Sequence, residues 1–295
     1  MQAIDRVVFG DNQFFGINHM SQEKAQQLAE RFHNLKEILT VYDYAYEAGI
    51  RGFMLNSNDG AKSICEHFIK NSDSYPGMRW YPSIPYPHKY ASLVGEKGLL
   101  ATLTEVVFRD RSAFDAVSMV AKGGVAVFSK DVIKLMQMLV DIEMRMFAGL
   151  EVRVIFLQNV ITDLLLGYGA KKIFEEYCRY ITMRYRATPG LITQNMPLLR
   201  SRLAEWNIRN VTICTSFNRI GYLMSPSVDS YVQSADANDP RDYQIMAMSS
   251  LASGAISARS AYEFINRQRI QSVVFGASSR KNIQETMGLI RLRDD

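Results

Sequence analysis

Cysteine, histidine and long apolar runs are all scarce in this chain of 295 residues. It has three cysteines and four histidines. Cys65, Cys178 and Cys214 lie far apart and form no CxxC pair, so the sequence argues against a zinc site and a disulfide framework and favours a reducing compartment. No apolar run reaches the roughly eighteen residues of a membrane span, and residues 2–6 do not resemble a secretion signal. We therefore expect a cytoplasmic protein with no membrane partner.

An excess of charge of one sign is also missing. The chain has 34 Lys and Arg against 30 Asp and Glu, a net charge of +4. This balance gives no reason to expect a nucleic-acid partner. The hydrophobic share is 47%, so a chain of this length can bury the core of one barrel domain or of two smaller domains.

Short apolar runs alternate with helical patterns along the chain. Eight runs have the length of buried parallel strands: 7–9, 52–55, 80–84, 152–157, 191–193, 211–214, 245–248 and 272–275. Helical periodicity predicts helices between them at 23–46, 61–70, 162–184, 197–206 and 258–268. Eight strands with crossover helices predict a single α/β domain over 1–295, a (β/α)8 TIM-type barrel. Residues 85–150 do not fit the repeat and are predicted to be a helical insertion between strands 3 and 4, although 125–128 could form a strand.

Two turns rich in small residues follow the last two predicted strands. One contains Ser249 and Ser250, and the other is Gly-Ala-Ser-Ser-Arg, which includes Gly276, Ser278, Ser279 and Arg280. Backbone N–H groups beside the amino end of a helix bind anions, most often phosphate, so these six residues are candidate phosphate or cofactor ligands. An ordinary loop between strand and helix would explain the same composition.

Carboxamides dominate the residues that follow the other predicted strands. In a barrel of this type such residues face the ligand, and uncharged amides suit a hydroxylated molecule such as a sugar or nucleoside. Asparagine also caps helices and forms turns, so part of the set is expected to be structural. The predicted substrate-binding residues are Asn56, Asn58, Gln158, Asn159, Asn195 and Asn218.

The order of several short motifs resembles that of the aldo-keto reductases. Segment 248–254, Met-Ser-Ser-Leu-Ala-Ser-Gly, is similar to their seventh-strand motif, and 275–280 is similar to the turn that holds the NADP phosphate. Segment 193–195 resembles the pair of residues that ends their fifth strand, and 46–53 resembles the segment before their catalytic Asp. The resemblance covers most of the chain except 85–150. It implies a barrel in which Asn195 contacts the nicotinamide amide.

The catalytic tetrad of that family has no evident counterpart. The Asp position falls on Met54 or Leu55, and no Tyr stands in Asn-Asp-Gly at 58–60. The third strand ends at Ser83-Ile84-Pro85 without a Lys, and the fourth ends at Gln158 without a His. The sequence therefore predicts a divergent member of the superfamily that does not transfer hydride with a Tyr acid.

Acid–base groups near the predicted ligand face are few. His19 lies in the loop after strand 1, while His33 and His67 fall within helical patterns and His88 follows strand 3. Asp11 directly follows strand 1; Asp59 and Asp163 stand at helix starts, where a carboxylate also stabilises the helix dipole. His19, Asp11 and Asp59 are the predicted catalytic residues. No metal-ligand spacing occurs, so no metal is expected.

These observations predict an enzyme of the lyase or isomerase type that acts on a phosphorylated sugar, nucleoside or similar polyhydroxylated molecule by non-redox acid–base chemistry. The alternatives are an NADPH-dependent oxidoreductase like the aldo-keto reductases and a ligand-binding barrel without catalysis. The cofactor stays open, and NADP(H) enters only with the reductase alternative. The expected partner is a small anionic substrate, and exposed faces of 85–150 could pair two copies of the chain.

Overall fold

Eight parallel strands close into a barrel, which confirms the predicted fold class. The computed structural model describes residues 2–15, 22–58, 60–85 and 130–290. The strands are β1 (Val7–Phe9), β2 (Gly52–Asn56), β3 (Arg79–Ile84), β4 (Val154–Leu157), β5 (Thr188–Thr193), β6 (Val211–Ser216), β7 (Tyr243–Met248) and β8 (Ser272–Phe275). Each strand pairs with the next in sequence, and Val8 of β1 pairs with Val274 of β8 to close the ring.

Ten α-helices surround the barrel in the described part of the chain. They are α1 (Gln22–Arg31), α2 (Leu35–Glu47), α3 (Ala61–Lys70), α4 (Lys130–Met144), α5 (Asn159–Gly167), α6 (Lys171–Tyr180), α7 (Met196–Glu205), α8 (Val228–Asp236), α9 (Ala258–Ile265) and α10 (Arg280–Leu289). None of the helices in these ranges is both long and apolar enough to cross a membrane.

Two predicted helices are each divided into two. The predicted helix 23–46 is interrupted before α2, where the Asn34 side chain accepts a hydrogen bond from the Lys36 N–H and caps the new helix. The predicted helix 162–184 is interrupted by Gly169, whose φ of +63° suits glycine. In 85–150, residues 130–144 form α4. Residues 86–129, which include the possible strand 125–128, lie outside the described residues, so the insertion and the single-domain assignment stay predictions.

Side chains of alternate strand residues fill two separate cores. Val8, Met54 and Tyr81 are among those that fill the inside of the barrel, while Phe9 and Trp80 are among those that pack between the strands and the helices. This alternation follows from the two-residue period of a strand. The barrel is therefore a packed core, and a ligand must bind at one of its ends.

The amino-terminal end of the barrel is closed by the segment before β1. The Asp5 carboxylate accepts hydrogen bonds from the Tyr81 hydroxyl at 2.5 Å and from Nε of Arg79 at 3.0 Å. Ile4 packs onto the interior core beside these residues. Polar side chains that could face a ligand therefore gather at the opposite end, where the strands terminate.

Gly190 of β5 gives the barrel interior room for Phe156 of β4. The two residues pair in register, and a Cβ atom at Gly190 would lie 2.7 Å from Cε1 of Phe156 and from Cγ1 of Val154. Such contacts are too short for carbon atoms, so a larger residue would displace the interior side chains.

We predict that Gly190→Ala lowers the free energy of unfolding by about 1–3 kcal/mol because it overpacks the interior. Urea denaturation measures the change, and Phe156→Leu in the same variant should restore part of the loss. Gly288→Ala is the control, since among the described residues no atom outside the backbone of its own helix and its chain neighbours lies within 4 Å of a Cβ placed there. Equal stability of wild type and Gly190→Ala would contradict this packing argument.

Candidate functional site

Four polar side chains meet where β1 to β4 end. Nδ2 of Asn56 donates to Oδ1 of Asp11 at 2.7 Å, and the Asn56 backbone N–H donates to Oδ2 of Asp11 at 2.9 Å. Nε2 of Gln158 donates to Oδ1 of Asn56 and to Oγ of Ser83, both at 2.6 Å. We call Asp11, Asn56, Ser83 and Gln158 the amide network.

The register of the sheet explains this convergence. Asn56 ends β2 and pairs with Ser83 of β3, and Ser83 pairs in turn with Phe156 of β4. Gln158 lies two residues beyond Phe156 and is anchored by its backbone N–H, which donates to the Ile84 carbonyl at 3.0 Å. Because side chains two residues apart share one face of a strand, Gln158 follows Phe156 toward the inside of the barrel.

Asp11 is the carboxyl group best suited to acid–base chemistry. Its side chain is buried, and burial raises its pKa to about 7, although hydrogen bonds from the Asn56 backbone, its own backbone N–H and the Asn56 side chain lower it in part. Its protonated and ionised forms are therefore both populated near neutral pH, the condition in which a general acid or base works best.

A second carboxyl group, which is only partly buried, holds the end of β5 rather than joining the amide network. Asp163 of α5 accepts a hydrogen bond from the Thr193 hydroxyl at 2.5 Å and another from the Gln194 N–H at 3.0 Å. Burial raises the pKa of Asp163, while these two bonds lower it. Both carboxylate oxygens are thus used to fix α5 against β5.

The predicted catalytic partners of Asp11 are His19 and Asp59. His19, Asp59 and His88 lie outside the described residues, so a pairing of Asp11 with His19 or Asp59 stays a prediction. His33, predicted within a helix, falls in the break between α1 and α2, where it is exposed. His67 lies in α3 with its ring edge-on to Phe68. Within the described ranges, no group of three or more His, Cys, Asp or Glu side chains could hold a metal ion.

Three of the predicted substrate-binding carboxamides make hydrogen bonds to nearby backbone groups. Oδ1 of Asn58 accepts from the N–H groups of Gly60 and Ala61, and Oδ1 of Asn195 caps α7. Asn218 closes its own loop with bonds to the backbone of Tyr222. Asn159 begins α5 and is partly exposed. A role of these four residues in substrate binding stays a prediction, whereas Asn56 and Gln158 belong to the amide network.

The turn after β8 presents polar groups at the start of α10. Gly276 is exposed and lies against Gln13, because a Cβ atom there would collide with the Gln13 carboxamide. The Ser279 hydroxyl caps α10, and the Ser278 carbonyl accepts from the Arg31 guanidinium at 2.6 Å.

Arg280 is exposed and already has partners. Its guanidinium lies 2.5 Å from a Glu47 carboxylate oxygen and 4.3 Å from the centre of the Tyr44 ring. Two arginines, Arg31 and Arg280, therefore stand beside the amino end of α10, and both charge and backbone geometry suit a phosphate group there.

The turn after β7 is partly buried, whereas the turn after β8 begins with the exposed Gly276. Ser249 has a φ of +53°, which turns the chain sharply after the strand. Oγ of Ser250 is buried and has no hydrogen-bond partner among the described residues. The hydrogen-bonding capacity of this hydroxyl is therefore unused within the described part of the chain.

Sequence reasoning missed Ser83 and the Gln13–Gly276 contact. In the sequence Ser83 stands out only as a place without the family's Lys, although its position on the same strand face as Tyr81 indicates that it faces the inside of the barrel. Gln13 contacts Gly276 only through the closure of β1 against β8, and no local pattern indicates that contact.

Comparison with known proteins finds reductases of the same fold. No family model and no curated protein matches the chain. A protein of Pseudomonas aeruginosa assigned to the aldo-keto reductases matches with a TM-score of 0.58 and 10% identity over 97% of this chain and 90% of its own. An aldo/keto reductase from Brucella melitensis gives 0.52 and 10% over 98% and 90%. The aldose reductase from Schistosoma japonicum gives 0.56 and 9% over 100% and 86%.

These matches correct the expected reaction. At such low identity they establish the fold, an eight-stranded parallel barrel shared with aldo-keto reductases. The expectation of a non-redox lyase or isomerase acting on a phosphorylated sugar or nucleoside is wrong on this comparison, because the matched structures are reductases.

We predict that Asp11 makes the stability of the folded chain depend on pH. A raised pKa means that the folded state holds the proton more tightly, so this contribution is complete below the unfolded pKa and is lost as pH rises through the folded value of about 7. The difference from the ordinary 3.8 corresponds to at most about 4 kcal/mol.

Denaturant unfolding of wild type and Asp11→Asn across this pH range measures the effect. The stability of wild type relative to the variant should decline as pH rises from about 4 to above 7. Because other titrating groups are common to both proteins, parallel curves would contradict the raised pKa of Asp11.

Proposed function

We propose that this chain is an NADPH-dependent oxidoreductase that reduces a small carbonyl compound, with Asp11 as the proton donor. The observation that carries the proposal is a buried carboxyl group with a pKa of about 7, placed at the ligand end of a barrel whose matched structures are aldo-keto reductases. The proposal also agrees with the motif resemblance in segments 248–254 and 275–280.

The residues around the last turn fit the phosphate groups of such a cofactor. The N–H groups that begin α10 lie beside Arg31 and Arg280, and the buried Ser250 hydroxyl is available to a polar ligand atom. Arg280 would exchange its contact with Glu47 for the phosphate. When bound, the cofactor supplies a hydride to the carbonyl carbon.

Asp11 completes the reduction by giving its proton to the carbonyl oxygen, which yields the alcohol and leaves the Asp11 carboxylate. The two N–H groups of Asn56 already donate to this carboxyl group and stabilise the charge that develops on it. Solvent then returns the proton. We infer that the family tetrad is replaced rather than repeated. The resemblance would place its Asp at Met54 or Leu55, its Lys at the end of β3 and its His at the end of β4, and none of these residue types stands there.

The remaining expectations belong to this proposal. A small anionic substrate suits the positive charge of Arg31 and Arg280, and the cytoplasmic location, the absence of nucleic-acid partners and the pairing of copies stay predictions. A catalytic contribution from His19 or Asp59 would be additional to that of Asp11.

We predict that Asp11→Asn lowers kcat for NADPH oxidation with an aldehyde panel by about 100-fold or more, since it removes the general acid. Wild-type reductase activity should fall as pH rises above about 7, where Asp11 loses its proton. Asp229→Asn, a change of the same kind at an exposed position of α8, is the control and should keep wild-type activity. An active Asp11→Asn enzyme with an unaltered pH profile would rule out Asp11 as the donor.

A further inference from the structure

The nitrogen and the oxygen of the Asn56 carboxamide have different hydrogen-bond partners. Its Nδ2 group donates to Oδ1 of Asp11 at 2.7 Å, and its Oδ1 atom accepts from Nε2 of Gln158 at 2.6 Å. A carboxamide can turn by 180° with little change in shape, which would exchange donor and acceptor. The orientation of Asn56 therefore decides whether Asp11 faces an N–H group or an oxygen atom.

Gln158 presents an N–H group, rather than its amide oxygen, to Asn56. Its Nε2 group also donates to Oγ of Ser83 at 2.6 Å, and its side chain is 7% exposed. If Asn56 alone turned over, its Nδ2 group would face Nε2 of Gln158. Two donors would then meet with no acceptor between them. Gln158 thus opposes the reversed orientation through a direct contact.

We propose that Gln158 is a positioning residue that holds the Asn56 carboxamide in the one orientation that donates to Asp11. Gln158 acts through Asn56: its side-chain hydrogen bonds in the described part of the chain go to Asn56 and Ser83 rather than to Asp11, so its effect differs from that of a catalytic group. Its importance for catalysis rests on the proposed function, but its effect on Asp11 does not.

The reversed orientation would favour the protonated acid. A protonated Asp11 could donate to Oδ1 of a reversed Asn56, whereas an ionised Asp11 would be repelled by that oxygen. Loss of Gln158 therefore raises the pKa of Asp11. Tyr42 of α2 is a titratable neighbour of Asp11, and burial, with a smaller contribution from the Asp11 charge, raises its pKa well above its ordinary value, so it stays neutral.

The test is a pH titration of the Asp11 carboxyl carbon by NMR in protein labelled with carbon-13 aspartate. Asp11→Asn identifies the resonance by its disappearance. Gln158→Met keeps the size of the side chain but removes the donor, and we expect it to raise the pKa of Asp11 by about one or more, a tenfold or greater change in proton affinity. Gln194→Met, the same change after the next strand, should leave the pKa unchanged.

Gln158→Glu provides a second, nearly isosteric variant if Gln158→Met does not fold. Its carboxylate should draw the Asn56 N–H groups away from Asp11 and raise the pKa of Asp11 further than Gln194→Glu, which adds the same charge after β5. An unchanged pKa in folded Gln158→Met, or equal effects of the two Glu variants, overturns the proposal. A raised pKa without any NADPH-dependent activity in wild type would support the positioning role and reject the proposed function.

Discussion

Closure of the parallel barrel between β1 and β8 is the constraint on which the site depends. The pairing of Val8 with Val274 brings residues 266 positions apart into contact and turns eight strand ends into one ring. Because the interior is filled with side chains and the Asp5 segment covers one end, the polar residues that end the strands have a single place to meet. The contact of Gln13 with Gly276 follows from that closure, while the amide network follows from the register of β2, β3 and β4 within the same ring.

Burial of Asp11 among neutral amides is the main electrostatic feature of the barrel end where the strands terminate. Removal from water raises the pKa of a carboxyl group, and an adjacent cation would lower it again. Asn56 supplies hydrogen bonds without a positive charge, so its effect is smaller than that of burial and the pKa settles at about 7. The same carboxyl group beside a lysine would be ionised throughout the neutral range.

The sequence predicts the barrel well because buried parallel strands are nearly continuous apolar runs. The predicted strand 191–193 is shorter than β5, which begins at Thr188, because Pro189 and Gly190 interrupt the apolar pattern. Gly190 is nevertheless needed in the strand, since it leaves room for Phe156 of β4. The break at Asn34 is missed because helical periodicity continues on both sides of it. The position of Asp11, Asn56 and Gln158 at strand ends can be predicted, but their mutual bonds depend on strand register, which composition does not specify.

The predicted reaction was wrong for a related reason. The sequence motifs predict that the catalytic residues of the aldo-keto reductases are absent, but they give no sign of a buried carboxyl group with a raised pKa, because its burial depends on residues that folding brings together. Asparagines after strands are equally ambiguous: Asn56 contacts Asp11, while Asn58 and Asn195 satisfy the backbone at helix starts. Environment, rather than residue type, separates the two roles.

Transfer of deuterium from NADPH labelled on its nicotinamide ring tests the central claim most directly. Wild-type protein is incubated with the labelled cofactor and a panel of aldehydes and ketones, and the products are analysed by mass spectrometry. The account predicts an alcohol that carries deuterium on the former carbonyl carbon. Absence of labelled product with every carbonyl compound would contradict an oxidoreductase function for this barrel.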